Sequence, residues 1–356
     1  MRREFMQNGN LNKDLTILVC SCDAYEDLWT PFFTLLKKHW TSLDLPIVLN
    51  TESKNFKLDG LDIKCIHSPF EKRYGQRMIN ALSTIKTEYV LLLLDDFFLR
   101  KPVSEERINQ IINWMKDDQH IAYFNCDCLP TYIDYEMDKF PGFKRLPPAC
   151  DYTLNMQAAI WRTKILKEFW RPSASPWEWE TIYNLLILNY PKYKFYCANQ
   201  LKNSFLDYGH CAYGDIWGVY RGKWVIEDVE PLFEREGIKI DYLARGVCKE
   251  VRNVEKSEKV SERDNSIIVY PIINSSSGNG LNNSTIKSFS DVLARLKKFC
   301  EIRSFLELPL YISYEIYRIM KAVFTKKELS DNYFTYLLEK ERKRFLSSIN
   351  KSQIGT

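Results

Sequence analysis

Residues Tyr89 to Leu94 (YVLLLL) are six consecutive apolar side chains with no polar alternation, and they run directly into two acids, Asp95 and Asp96. A strand that shows neither face to water must lie inside a sheet covered on both sides, the situation of parallel sheets whose crossover helices cover the faces. This one run therefore predicts an α/β chain with Tyr89–Leu94 near the middle of its sheet and a charged pair at the strand's exit. Charge at that place is costly to bury unless something pairs with it.

The flanking sequence supplies the rest of such a sheet. LTILVC (15–20) reads as a buried first strand followed by the loop CSCDAYED, and residues 26–40 carry apolar side chains at helical spacing. LPIVLN (45–50), IKCIHS (63–68) and IAYFNC (121–126) read as strands. RMINALSTI (77–85) reads as a helix, as does ERINQIINWMKDD behind its cap Ser104. NMQAAIWR (155–162) reads as a strand leading into the helix TKILKEFW, SPWEWETIYNLLIL (175–188) as a turn and then a helix, and 207–224 as a Gly-rich loop. Alternation of this kind predicts a mostly parallel, doubly wound sheet. Ligands of such sheets bind beyond the carboxyl ends of the strands, which puts CSCDAYED and DDFF on one rim.

Composition narrows the function classes. A hydrophobic share of 45% and a charged share of 27% are ordinary for a globular chain. A net charge of +4 over 356 residues is too small for a nucleic-acid binder. Of the ten cysteines, Cys20 and Cys22, and Cys126 and Cys128, are separated by one residue, not by the two of zinc or redox motifs. Free thiols in a reducing cytoplasm are the expectation. No opening apolar run resembles a signal peptide, and no stretch approaches the roughly 20 apolar residues of a membrane helix.

Three regions are expected: an α/β catalytic unit over 1–247, a charged and polar linker over 248–285, and a basic, amphipathic helical region over 286–356. Residues 287–356 hold 14 Lys or Arg against 8 Asp or Glu, so the cations of this chain concentrate there. Interleaved with Phe, Tyr, Leu and Ile, they suit contact with the anionic inner face of a membrane. A solvated helical bundle or an arm that joins homo-oligomers suits them equally.

Asp95 and Asp96 repel each other unless a cation lies between them, and Mg²⁺ or Mn²⁺ held by one or two carboxylates and diphosphate oxygens meets that need. The alternative is that one Asp caps the following helix and the other is solvated.

The order CSCDAYEDLW, YGQRMINAL, TEYVLLLLDDFFL, NMQAAIW and SPWEWE, spread over residues 15–225, resembles GT-A-fold glycosyltransferases of bacterial surface-polysaccharide clusters. The resemblance implies a metal-dependent transfer of sugar from a nucleotide-sugar donor to a hydroxyl of a saccharide or lipid-linked acceptor. It also implies an aspartate motif that binds the metal and the nucleotide diphosphate. Here the motif reads LDDF and not Asp-x-Asp, so Asp95 and Asp96 are both metal candidates, and Asp95 a donor contact as well. The resemblance further implies donor contacts at Asp23, Tyr25 and Arg77, and a third metal ligand at His210. Asp23 could instead cap the helix after it, and Arg77 could be an ordinary surface arginine.

A base that deprotonates the acceptor hydroxyl is expected first at Glu180 and second at Glu178, which makes the transfer inverting. Acids in a first helical turn are also favoured by the helix dipole alone. Trp177 and Trp179 are expected to offer a platform for the acceptor, with Asp127 nearby, although tryptophans also anchor cores. Two other classes stay open. A sugar-nucleotide nucleotidyltransferase would need a Gly-rich basic loop after the first strand, which CSCDAYED is not. A non-catalytic, membrane-associated assembly protein would keep the fold alone.

Overall fold

The structure, a computed structural model, describes residues 14–69, 72–127, 135–137, 139–146, 152–181, 183–208 and 218–248. His210, the expected linker beyond Cys248 and the basic region 286–356 lie outside the described residues.

Nine strands form one sheet: β1 (Leu15–Cys20), β2 (Ile47–Thr51), β3 (Ile63–His67), β4 (Tyr89–Leu94), β5 (Ile121–Asn125), β6 (Tyr135–Met137), β7 (Phe143–Arg145), β8 (Ala159–Arg162) and β9 (Lys194–Ala198). Their order is β3-β2-β1-β4-β8-β5-β9-β7-β6. The first four are parallel to one another, and β9 is parallel to β5. β8 is antiparallel to both β4 and β5, and β7 to both β9 and β6. Only β8 and β7 oppose the rest, so seven of nine strands share a direction. This is the mostly parallel α/β sheet that the alternation of strands and helices in the sequence predicts.

Helices cover both faces. On one lie α1 (Glu26–His39), α3 (Glu105–Asp117) and α6 (Ile226–Glu236), whose Phe33, Ile111 and Phe233 meet Ile17, Leu91 and Leu93. On the other lie α2 (Tyr74–Thr84), α4 (Thr163–Phe169) and α5 (Pro176–Glu180), whose Met78, Leu166 and Trp179 meet Leu18, Val90 and Leu92. Successive residues of β4 thus enter opposite cores, which is why that strand tolerates no polar position. A four-residue helix, α7 (Tyr242–Arg245), closes the described chain near a hairpin of β10 (Val219–Tyr220) and β11 (Lys223–Trp224). Among the described residues no helix is long and apolar enough to cross a membrane.

The helix expected through 175–188 is broken. α5 ends at Glu180, and a 3-10 stretch resumes at Tyr183–Asn189. The Thr181 hydroxyl donates back to the Trp177 carbonyl at 2.7 Å, a local bond that competes with helix propagation. Asn184 then turns its side-chain oxygen to the Leu154 N–H at 2.9 Å.

Candidate active site at the carboxyl rim

The exits of β1 (Ser21–Asp23), β2 (Glu52), β4 (Asp95, Asp96) and β5 (Asp127) share one edge because these strands run the same way. β8 runs the other way, so the segment that enters it, Tyr152–Ala158, reaches the same edge. The structure therefore brings CSCDAYED, DDFF and NMQA together.

Asp95 is 3% exposed. It accepts a hydrogen bond from the Ser21 hydroxyl, and Ser21 in turn accepts from Trp29 Nε1 at 2.7 Å. Burial, then the charge of Asp96, push the Asp95 carboxyl well above the ordinary carboxylate range, against the pull of the bonds from Ser21 and Trp29. Asp96 is half-buried, one residue farther out. Its carbonyl accepts from the Gly218 N–H at 3.0 Å, and a Cβ at Gly218 would lie 2.4 Å from that oxygen, so the close approach requires glycine. The ring of Phe97 meets Tyr208 at 5.4 Å, and the Arg100 N–H donates to the Asp207 carbonyl at 2.8 Å. The chain on either side of 209–217, the segment that contains His210, is thereby fastened to Asp96–Arg100.

On the β1–β2 side, Asp23 accepts from four donors: the N–H groups of Glu52 at 3.0 Å, Ser53 at 3.0 Å and Lys54 at 3.2 Å, and the Ser53 hydroxyl at 2.6 Å. Burial raises its carboxyl, but the bonds from Ser53 and Lys54 hold it below the usual range. Asp23 does not cap α1, whose N-cap is Tyr25; it ties the turn after β2 to the loop after β1.

Arg77 is 6% exposed and is no surface arginine. It pairs with Glu52, the two side chains being 8% and 9% exposed, and donates to the Ser21 carbonyl at 3.0 Å. Tyr74 lies under its guanidinium at 5.6 Å. Glu52, which also accepts from the Asp23 N–H, was not legible as a site residue: one acid after a short strand carries no pattern.

Tyr25 is half-buried, and its hydroxyl is raised by burial, then by Asp96 and Asp95, which places it within electrostatic reach of the acid pair. The Arg245 guanidinium lies over its ring at 4.5 Å. Arg245 also pairs with Asp27 at 2.9 Å and donates to the carbonyls of Ala24 at 2.6 Å and Gly222 at 3.3 Å. It is 221 residues from Ala24, and no local signal in the sequence connects the two.

On the β8 side, Glu180 Oε1 accepts from the Met156 N–H at 2.8 Å, which draws this carboxylate to the rim. Glu178 is in a capping box: it accepts from the Ser175 N–H at 2.9 Å, while the Ser175 hydroxyl accepts from the Glu178 N–H at 3.3 Å. Asn125 donates to Asn155 at 2.8 Å, and the Asp127 N–H donates back to Asn125 at 2.7 Å, so Asp127, 1% exposed, is set beside this amide network. The two tryptophans part company. Trp177 is 68% exposed, whereas Trp179 is fully buried, stacked on Trp170 at 4.5 Å with planes 2° apart. The acceptor role expected for Trp179 is corrected: its ring is core, held there by the hydrophobic gain of burying an indole.

The donor chemistry fits a hard divalent cation. Among the described residues no group of three or more His, Cys, Asp or Glu could hold a metal. Mg²⁺ or Mn²⁺ shared with substrate phosphates needs no such cage and is satisfied by one or two carboxylates, the number that Asp95 and Asp96 provide.

No family model matches the chain, and no curated protein matches it. Among solved structures, a fragment of S. aureus TarS, residues 1–349, superposes with a TM-score of 0.35 at 14% identity, covering 53% of this chain and 61% of that one. The same fragment in complex with UDP-GlcNAc gives 0.35 at 13% identity, covering 52% and 58%. A mycobacterial protein gives 0.24 at 8% identity, covering 32% and 40%. The chain thus spans about three fifths of the TarS fragment. Superpositions this loose say nothing about substrate, and the functional reading rests on the chemistry of the rim.

Proposed function

We propose that the chain is a metal-dependent glycosyltransferase that moves a sugar from a nucleotide-sugar donor, of the UDP-sugar type, to a hydroxyl of a saccharide or lipid-linked saccharide, with inversion. The observation that carries this reading is that the Asp95–Asp96 pair, at the exit of β4, and the Glu180 carboxylate, held by Met156 at the entry to the antiparallel β8, belong to the same rim. Asp96 and Asp95 would hold the metal that binds the diphosphate, Asp95 being fixed from the buried side by Ser21, with Trp29 behind it. When bound, Mn²⁺ or Mg²⁺ supplies positive charge that stabilises the departing nucleoside diphosphate.

Arg77 and Tyr25 frame the donor between the exits of β1 and β2. Glu180 takes the proton of the acceptor hydroxyl. The Met156 N–H holds one of its oxygens and so fixes the direction of the carboxylate. Glu178, engaged in its cap, is the lesser candidate. Trp177 and Asp127 are the acceptor-side candidates, and His210, which lies outside the described residues, would be the third metal ligand. The unit over 1–247 is the catalytic one. The order of sequence motifs supports a role in surface-polysaccharide synthesis, and the basic character of 286–356 supports peripheral contact with the inner membrane face.

The test is release of nucleoside diphosphate from a panel of nucleotide sugars by the purified full chain with Mn²⁺. Silence across the panel would leave the non-catalytic assembly protein as the better reading. Where activity is found, Glu180→Gln is expected to lower turnover roughly 100- to 10,000-fold with nucleotide affinity nearly unchanged.

A further inference from the structure

The chain from Gly218 to Cys248 touches two walls of the rim. At its start the Gly218 N–H holds the Asp96 carbonyl at the exit of β4, and the Gly218 carbonyl accepts from the Val225 N–H at 3.1 Å. At its end α7 delivers Arg245 to the exit of β1. Asp241 opens α7 by accepting from the Leu243 N–H at 2.9 Å, and Gly246, at φ 82° and ψ 164°, closes it in a conformation open essentially to glycine alone. The ring of Tyr242 meets Trp224 at 5.8 Å, the Trp224 N–H donates to the Gly246 carbonyl at 2.9 Å, and the Cys248 N–H donates to the Trp224 carbonyl at 2.8 Å. The backbone on either side of Arg245 is thereby fixed to β11.

The Arg245 side chain is 8% exposed, and a cation is costly to bury unless it is paired. Here Asp27 accepts from both its Nε and its Nη2, and the carbonyls of Ala24 and Gly222 accept from Nη2 and Nη1. Burial alone would lower the guanidinium, but the bonds to Asp27 raise it overall, so Arg245 stays charged. Its N–H groups are spent in this way on the chain's own oxygens, and its centre is left over the Tyr25 ring. A planar cation held at its edges and stacked on a ring fixes that ring more narrowly than a lysine would. Ala24, Tyr25 and Asp27 all belong to the loop after β1 or the first turn of α1.

We infer that Arg245 is a positioning residue for the donor nucleoside diphosphate, acting through Tyr25 and the β1 exit loop, an inference that rests on the transferase reading above. Arg245 joins the end of the catalytic unit to the loop that frames the donor, and Gly218 joins the same stretch of chain to Asp96. The two walls of the donor site are thus spaced by one segment that neither strand supplies.

The experiment is calorimetric titration of the full chain with UDP in the presence of Mn²⁺. Arg245→Gln should weaken UDP about tenfold, and Tyr25→Leu at least as much. Arg245→Gln added to Tyr25→Leu should weaken it less than about twofold further, because the residue through which Arg245 acts is already gone. Arg245→Lys keeps a cation for the ring without the paired bonds and should lose about threefold, again only where Tyr25 is present. That variant carries the cycle should Arg245→Gln not fold.

If the wild-type chain binds UDP and the Arg245 variants bind it equally well, the inference falls and the transferase reading survives. Equal losses with and without Tyr25, or an equal loss in Arg245→Lys and Arg245→Gln, would show a brace for the fold or a role of the Asp27 pair alone, and would overturn the action through Tyr25. If the wild-type chain does not bind UDP, the transferase reading falls and the inference falls with it.

Discussion

The two halves of the rim are built on opposite plans. Around the exits of β1, β2 and β4, the chain's own groups already satisfy one another: Asp23 gathers four donors, Arg77 meets Glu52 and Ser21, and Asp95 is bonded to Ser21 with Trp29 behind it. Across β4, at the entry to β8, one aromatic ring, Trp177, stands largely exposed and another, Tyr152, sits on a strained left-handed backbone with φ 61°. The first half is a rigid, preorganised cradle. The second keeps exposed aromatic surface and a strained backbone position, features that cluster at ligand-binding sites. If so, substitutions in the first half should change stability and donor binding together, whereas those in the second should change acceptor handling at little cost to the fold.

The largest effect should come from Asp96→Asn. Removing the outer charge should lower turnover roughly 1,000-fold and abolish the Mn²⁺ dependence of UDP binding, with the unfolding midpoint unchanged. Retention of normal Mn²⁺-dependent UDP affinity would remove Asp96 from the site. Next, Arg77→Ala leaves Glu52 as a charge in a 9% exposed side chain and should cost about 3 kcal/mol in chemical denaturation, with UDP affinity falling in parallel. Loss of affinity without loss of stability would mean that Arg77 is a ligand contact and not a brace.

Asp95→Asn should act through pH. Burial and Asp96 raise the Asp95 carboxyl in the folded state above its unfolded value. Its stabilising contribution is therefore complete below the unfolded pKa and is lost as pH rises through the folded one. Wild-type stability without metal should decline from about pH 4 upward relative to Asp95→Asn. Parallel stability curves would show that Asp95 is charged and compensated in the free protein. The smallest effect is expected at Tyr152: Tyr152→Gly should be more stable than Tyr152→Ala by about 1 kcal/mol, the reverse of the order at an ordinary position, because only glycine enters the left-handed region freely.

What could be read from the sequence followed the strength of the periodic signal. β1 and β4 are continuous apolar runs that enter two cores at once, and both were legible to the residue. β9 and β7 were not: KFYCA and FKR are short and owe their place to neighbours in the sheet, as strand preference generally does. The helix through 175–188 looked continuous because its apolar spacing runs on past Thr181, whereas the break depends on side-chain bonds of Thr181 and Asn184 that spacing does not reveal.

At the site, residue type disclosed the rim but not the division of labour. Trp177 and Trp179 are two residues apart and alike in composition, yet helical geometry turns one to water and the other onto Trp170. Glu178 and Glu180 divide in the same manner, one into a cap and one to Met156. Ser21, Glu52 and Arg245 escaped notice because each acquires meaning only through a partner distant in sequence.

The most direct test of the account is a crystal structure of the chain with UDP and Mn²⁺. Metal density against Asp96, with the diphosphate lying over the exits of β1 and β4 and Glu180 facing the open side, is the predicted result. Nucleotide bound elsewhere, or a rim that stays empty at saturating UDP and Mn²⁺, would contradict it.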